Sequence, residues 1–285
     1  MRRSSKPCGA RAGSLSGRKA AISAFRNTLR QKNYGSSPPT YQTLYPFPYH
    51  QAGETDHRRI FGSVALISEA DITPITCPLC KTDAVREFWR DKRRDYLCCK
   101  VCGMLFVPPR QFLSVEDEKK RYDLHQNSPL DLKYRRFLSR LFIPLEQCLA
   151  PGSFGMDFGS GPEPTLSRMF EEAGHSMTIF DRYYEPVPAV LKKQYDFITA
   201  SEVVEHLHDP RQELERLWAC LKPGGRLGIM TRPAVEQDAF PAWHYKNDLT
   251  HVCFFSTATF TWLAVRWNAD LTSPGRDVAL FHKRP

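Results

Sequence analysis

The segment Phe154-Gly155-Met156-Asp157-Phe158-Gly159-Ser160-Gly161-Pro162 runs a short apolar strand directly into a glycine turn. Pro164 then suits a first helical position, and Leu166, Met169, Phe170 and Ala173 mark one helix face before Gly174 stops it. A second apolar run, Met177-Thr178-Ile179-Phe180, ends at Asp181, twenty residues beyond Gly161. Glycines let a ligand approach the backbone, and an acid at the end of the second strand can accept from sugar hydroxyls. Strand, glycine turn, helix, strand and acid in this order make the nucleoside-binding half of a Rossmann-like α/β fold. The third glycine of the dinucleotide fingerprint is missing, with Pro162 and Pro164 nearby instead. That departure counts against a nicotinamide or flavin enzyme.

Working outward, the alternation of helix and strand continues on both sides. Upstream, Ser128 and Pro129 suit the start of a helix whose apolar residues Tyr134, Phe137, Leu138, Leu141, Phe142 and Leu145 follow helical spacing, ended by Pro151-Gly152. Downstream, the strand from Tyr195 leaves polar groups at its end: Ser201, Glu202, Glu205 and His206. Asp209-Pro210 starts a helix with Leu214, Leu217, Trp218 and Leu221 on one face, and Lys222-Pro223-Gly224-Gly225 turns into a strand over 226–231. A helix after Ser256 and strands around Asp270–Thr272 and Val278–His282 complete the pattern.

Four elements in this order, Asp157-Phe158-Gly159-Ser160-Gly161, Asp181, Glu202-Val203-Val204-Glu205-His206 and Leu221-Lys222-Pro223-Gly224-Gly225, resemble the class I S-adenosylmethionine-dependent methyltransferases over about residues 150–285. The resemblance implies a Rossmann-like seven-stranded sheet whose last strand is antiparallel. It implies that Gly159, Ser160 and Gly161 meet the methionine and ribose part of S-adenosylmethionine, that Asp181 binds the ribose hydroxyls, and that Asp157, Ser201 and Glu202 frame the cofactor. Only thirteen residues separate Asp181 from Tyr195, so the second crossover helix and third strand are expected to be shortened or missing. No acid that would contact the adenine is identifiable.

Methyl transfer from a sulfonium needs an aligned nucleophile, exclusion of water and, for some acceptors, removal of a proton. Ligands of open α/β sheets lie beyond the carboxyl ends of the strands, which points to the loops after Ser201 and Thr231. The second loop gathers Trp243, His244, Tyr245, Lys246, Asp248 and His251. His251 is the first candidate for a general base because imidazole titrates near neutral pH, and Asp248 is placed to orient it. His206, beside the cofactor strand, is a further candidate. The plainer alternatives are that His251 anchors the loop ahead of the Ser256 helix and that His206 packs locally. Tyr122, His125 and Asn127 form either a helical lid or a solvated face, and the 232–251 loop is expected to close the pocket.

Upstream, Cys77-Pro78-Leu79-Cys80 and Cys99-Lys100-Val101-Cys102-Gly103 are separated by eighteen residues, a spacing that suits a four-cysteine structural zinc site. Cys77, Cys80, Cys99 and Cys102 would fill all four tetrahedral positions, leaving none for substrate. Gly103 suits the positive φ of such a knuckle. Cys98 competes as a ligand, although Cys99 keeps the two-residue spacing. Two disulfides, or a reduced metal-free loop, are the alternatives.

The net charge of +9 is carried by the N-terminus: residues 1–53 hold nine Lys and Arg and no acid, so the remainder has 31 basic residues against 31 acidic ones. That neutrality disfavours a strongly basic nucleic-acid groove. The leader, rich in Arg, Ser and Pro, buries too little apolar surface to fold alone, and reads as a tail, a targeting segment or sequence upstream of the true start. No apolar run approaches the ~20 residues needed to span a bilayer. The chain therefore divides into a basic leader over 1–65, a zinc ribbon over 70–110, a helical linker or lid over 111–150 and an S-adenosylmethionine-binding domain over 151–285. The expected function is cytoplasmic methyl transfer to a small-molecule acceptor. A methyltransferase for RNA or protein that docks through the ribbon, with the basic run Arg90, Lys92, Arg93 and Arg94, is the second reading, and a non-catalytic zinc and nucleoside-binding scaffold the third. Oligomeric state is not legible.

Overall fold

The computed structural model describes residues 75–124 and 128–285. The leader over 1–65 and the lid candidates His125 and Asn127 lie outside the described residues. Short apolar runs in the cysteine segment form β1 (Val85–Arg90), β2 (Asp95–Cys99) and β3 (Leu105–Phe106), paired antiparallel in that order. Helix α1 (Val115–Tyr122) follows, capped by Ser114, with Glu116, Asp117 and Glu118 in its first turn and Lys119, Lys120 and Arg121 in its last. That arrangement complements the helix dipole at both ends. Helix α2 (Leu132–Glu146) starts later than the Ser128-Pro129 pair suggests. Its cap is Asp131, whose carboxylate accepts from the Lys133 N–H (2.7 Å), while the Ser128 hydroxyl accepts from Leu130 in a preceding turn.

The glycine-turn region builds β4 (Phe154–Phe158), α3 (Thr165–Glu172) and β5 (Ser176–Phe180). Then come β6 (Tyr195–Ser201), α4 (Pro210–Ala219), β7 (Leu221–Met230), β8 (Cys253–Phe254), α5 (Thr257–Arg266), β9 (Asp270–Gly275) and β10 (Val278–His282). The main sheet has the order β5-β4-β6-β7-β10-β9, with β10 antiparallel to both neighbours and the β5-β4-β6-β7 pairs parallel. Among the described residues it is thus a mixed α/β sheet of six strands rather than seven. The thirteen residues after Asp181 hold only an Asp181–Glu185 bridge and a 3-10 turn over Pro188–Lys192. A parallel crossover alone takes a dozen residues or more, so no third strand fits and β5 becomes the edge.

Period-two alternation sends the sheet's side chains to two helical layers. Phe197 packs with Leu138, Leu141 and Leu145 of α2 and Phe170 of α3, whereas its neighbour Ile198 joins the cluster containing Leu214, Leu217 and Leu263. Full burial of one such leucine contributes about 2 kcal/mol. The Lys222-Pro223-Gly224-Gly225 segment is not a turn before β7 but a bulge within it: Tyr195 and Phe197 of β6 face Leu221 and Arg226, so the intervening residues loop outward. The helix after Ser256 begins with a capping box made by Ser256 and Thr259.

The ribbon is continuous with the α/β part. Strand β3 pairs antiparallel with β8, giving a second sheet of order β1-β2-β3-β8. Phe240 meets Phe88 and Tyr96 edge-on at 5.1 and 4.9 Å. Arg94, buried, donates to the carbonyls of Leu249 (3.2 Å), His251 (2.9 Å) and Asp248 (3.1 Å), and also to that of Lys246. Arg90 pairs with Glu87 (3.0 Å) and Asp95 (2.7 Å), and Arg93 donates to Asn247 (3.1 Å). Three members of the basic run are therefore engaged within the molecule. Among the described residues, no helix is long and apolar enough to cross a membrane.

Candidate functional site

The carboxyl ends of β4, β5 and β6 meet at the glycine turn. Gly159 has φ +74° and donates to the Phe180 carbonyl at 2.7 Å. A Cβ at Gly159 would lie 1.8 Å from Val203 Cγ2, so this position excludes every side chain on two counts. Gly161, at φ +65°, donates its N–H to Asp181 Oδ2 (3.0 Å). The other carboxylate oxygen of Asp181 accepts from Tyr183 N (2.8 Å) and Tyr184 N (3.1 Å). A carboxylate offers about four acceptor positions, so roughly one is left at Oδ2 for a ligand hydroxyl.

A cleft enclosing about 1040 Å³, its open mouth included, lies above this turn. Gly159, Ser160, Gly161, Asp181, Ser201, Glu202 and His206 line it, together with Glu205 and the aromatics Tyr122, Tyr183 and Tyr184. Asp157, Asp248 and His251 are not on its walls. Asp157 is buried beneath the turn, accepting from Thr199 Oγ1 (2.7 Å) and Ser167 Oγ (3.3 Å), and burial pushes its carboxyl up to about 6. No residue of the 232–251 loop reaches the cleft lining. Phe240 packs on Phe88 and Tyr96 of the ribbon, and Tyr245 and His251 lie buried behind Glu205 and His206, so the 240–251 part of that loop is a wall behind the site rather than its lid. The cover comes from Tyr122 of α1, which meets Tyr183 and His206 at ring distances of 5.4 and 5.2 Å.

At the end of β6 the backbone is strained: Glu202 adopts φ +52°, outside the region a side chain prefers. Its carboxyl is raised well above the usual range by burial and by the neighbouring Glu205. The Ser201 hydroxyl is buried without a hydrogen-bond partner among the described residues. Glu205, fully buried, accepts from Thr231 Oγ1 (2.9 Å) at one oxygen and from the Tyr245 hydroxyl at the other. His206 Nδ1 stands 3.3 Å from the Thr250 carbonyl, and the His206 and His251 rings lie 4.6 Å apart. His251 Nδ1 stands 2.7 Å from the Tyr245 carbonyl and its Nε2 lies 3.8 Å from Asp248 Oδ2. Asp248, which also accepts from Thr250 N and Oγ1, is held well below the usual carboxylate range against its burial by His251 and His206. His251, Asp248 and His206 are thus brought together, but only His206 faces the cleft. Glu205 and Tyr245, central to this network, carried no assigned role in the sequence; the three-residue spacing of Glu202 and Glu205 was the available signal.

The four expected cysteines cluster, with their sulfurs all within 4.8 Å of one another. Cys77 and Cys102 Sγ are 3.6 Å apart, and Cys80 and Cys99 Sγ 3.3 Å. Tetrahedral ligands at about 2.3 Å from one ion stand about 3.8 Å apart, close to these separations. Val101 and Cys102 N–H both donate to Cys99 Sγ at 3.4 Å, and Gly103 has the expected positive φ of +71°. Cys98 lies outside the group and directs its thiol to the Cys99 carbonyl.

No curated protein matches the chain. Solved structures that resemble it include an S-adenosylmethionine-dependent methyltransferase of Thermotoga maritima, at 15% identity and TM-score 0.34, covering 53% of this chain and 95% of that one. Another is the 1,6-didemethyltoxoflavin-N1-methyltransferase of Burkholderia thailandensis with bound 1,6-didemethyltoxoflavin and S-adenosylhomocysteine, at 15% identity and TM-score 0.41, covering 70% and 100%. A third is human N-acetylserotonin methyltransferase, at 14% identity and TM-score 0.41, covering 60% of this chain and 57% of that one. The methyltransferase-domain family matches residues 127–273, more than half of the chain, and includes the glycine turn, Asp181 and the whole inner wall. The chain belongs to that family, the methyltransferase-domain proteins.

Proposed function

We propose that the protein transfers a methyl group from S-adenosylmethionine to a small-molecule acceptor held in the cleft at the ends of β4, β5 and β6. The carrying observation is the clasp between Gly161 N–H and Asp181 Oδ2, in a cleft also lined by Ser201, whose hydroxyl has no hydrogen-bond partner among the described residues. A buried hydroxyl without a partner costs about 1–3 kcal/mol, which a ligand's polar group would recover. S-adenosylmethionine supplies a methyl already attached to a sulfonium leaving group. Gly159, Ser160 and Gly161 would receive its amino-acid and ribose part, the open position of Asp181 a ribose hydroxyl, and Ser201 and Glu202 the side nearest the methyl. Asp157 would act from below by holding the strand beneath the turn.

The acceptor would stand against Glu205 and His206, with Tyr122 closing over it and excluding water. His251 and Asp248 would act through His206 rather than on the acceptor, because neither reaches the cleft. The cleft's aromatic cover and the internal engagement of Arg90, Arg93 and Arg94 favour a small acceptor over a nucleic acid. Cys77, Cys80, Cys99 and Cys102 would hold structural zinc, which suits a cytoplasmic setting where thiols stay reduced.

Calorimetric titration of the full chain with S-adenosylmethionine tests the donor site. Micromolar binding by the wild type, lost in Asp181→Ala and Gly159→Val, is expected. A folded, zinc-loaded wild type that binds neither S-adenosylmethionine nor S-adenosylhomocysteine would overturn the assignment.

A further inference from the structure

We infer that Glu205, His206 and His251 form a binding site for one divalent first-row transition ion at the inner end of the cleft. One donor atom from each lies within 4.8 Å of the other two, and all three residues are buried. Two imidazoles and one carboxylate with the remaining positions open make a donor set that divalent first-row ions such as Mn²⁺ or Fe²⁺ accept.

The surroundings hold these groups as ligands are held. Both histidines present Nδ1 to a main-chain carbonyl, His206 to Thr250 (3.3 Å) and His251 to Tyr245 (2.7 Å). Donation of the Nδ1 proton puts the lone pair of each neutral ring on Nε2, the arrangement found in metal-bound histidines. Those Nε2 atoms face carboxylates: Glu205 Oε1 at 4.0 Å from His206, and Asp248 Oδ2 at 3.8 Å from His251. The Glu205 oxygens are themselves set by the Thr231 and Tyr245 hydroxyls. Ligands on one ion at about 2.1 Å stand about 3.0–3.4 Å apart, so the Glu205–His206 pair at 4.0 Å would close by up to about 1 Å and the pairs to His251, within 4.8 Å, by at most about 1.8 Å.

Charge supports the same reading. Glu205 and Asp248 bring two buried carboxylates to this region, with the half-buried Glu202 beside them, and among the described residues His206 is the one basic side chain within 4.0 Å of Glu205. Buried carboxylates call for a paired charge or a metal. Because Glu205 and His206 also line the cleft, an ion there would face an acceptor oxygen and act on it as a Lewis acid. The metal site stands on Glu205, His206 and His251 alone, whereas its action on an acceptor rests on the proposed use of the cleft.

The test is an EPR titration with Mn²⁺ of full-length protein holding one zinc per chain, the amount the four cysteines take, following the signal of the free aqueous ion. Mn²⁺ prefers oxygen and nitrogen donors and leaves a zinc-filled thiolate site alone. One Mn²⁺ bound per chain is expected, with affinity lowered at least about tenfold by His251→Ala, Glu205→Gln and the milder Thr231→Val, which removes only a hydroxyl supporting Glu205. A wild type that leaves the free signal unchanged to millimolar Mn²⁺ overturns the site, as does uptake that survives His206→Ala and His251→Ala together. S-adenosylmethionine binding, measured by calorimetry on the same samples, separates failure of the metal site from failure of the donor site.

Discussion

Replacing Gly159 by alanine should damage the protein far more than replacing Gly161, although the two stand two residues apart in one turn. Both have positive φ, +74° and +65°, so alanine at either position costs about 1–2 kcal/mol of backbone strain. Only at Gly159 does the new Cβ collide, 1.8 Å from Val203 Cγ2 and 2.9 Å from Val203 Cβ; at Gly161 nothing lies within 4 Å. Overpacking of this kind adds about 1–3 kcal/mol. Stiffening of the unfolded chain returns up to about 1 kcal/mol to both variants alike and leaves their difference unchanged. Gly159→Ala is therefore expected to lose about 1–5 kcal/mol and Gly161→Ala about 0–2 kcal/mol, with a difference of about 1–3 kcal/mol between them. At about 2–4 °C per kcal/mol, the first shift is many degrees in Tm and the second a few. Denaturant unfolding of both variants, with Val203→Ala and the Gly159→Ala/Val203→Ala double variant, measures the collision directly. The cycle should return about 1–3 kcal/mol of coupling. Equal losses in the two glycine variants, or no coupling to Val203, would refute the packing account of the turn.

The buried Asp157 carboxyl, pushed up to about 6 from 3.8, binds a proton in the folded protein that the unfolded chain has already released. Stability should accordingly fall by about 3 kcal/mol as pH rises from about 4 to about 6, and Asp157→Asn should flatten that slope in unfolding experiments across the range; an unchanged slope sinks the assignment. Arg94→Lys should cost about 2–4 kcal/mol, since an ammonium cannot span the four carbonyls that the planar guanidinium reaches, and a loss under 0.5 kcal/mol (roughly the noise of surface substitutions) would mean the clamp contributes little. Ser201→Ala should raise the stability of the ligand-free protein by about 1 kcal/mol while weakening S-adenosylmethionine about tenfold, a pairing of opposite signs that an ordinary surface hydroxyl would not produce. Calorimetry beside thermal unfolding reads both.

Local chemistry made much of this protein legible from its sequence. Glycines at 159 and 161, Asp181 twenty residues on, and the two cysteine pairs speak through backbone conformation and ligand spacing, and the structure brings each group together. The thirteen residues between Asp181 and Tyr195 likewise pointed to a third strand shortened or missing, because chain length bounds what can be built, and among the described residues it is missing. Exchange of partners across the fold was not legible. That β3 would pair with a two-residue strand at Cys253–Phe254, that Arg94 would cap carbonyls of 246–251, and that the 245–251 end of the loop would be largely buried are long-range events, carried by backbone groups that any sequence possesses. The same holds for the inner wall. Spacing could place Glu205 and His206 at a strand end, but only tertiary packing sets His251 behind them and leaves it off the cleft, since a side chain's depth depends on what the rest of the chain stacks against it.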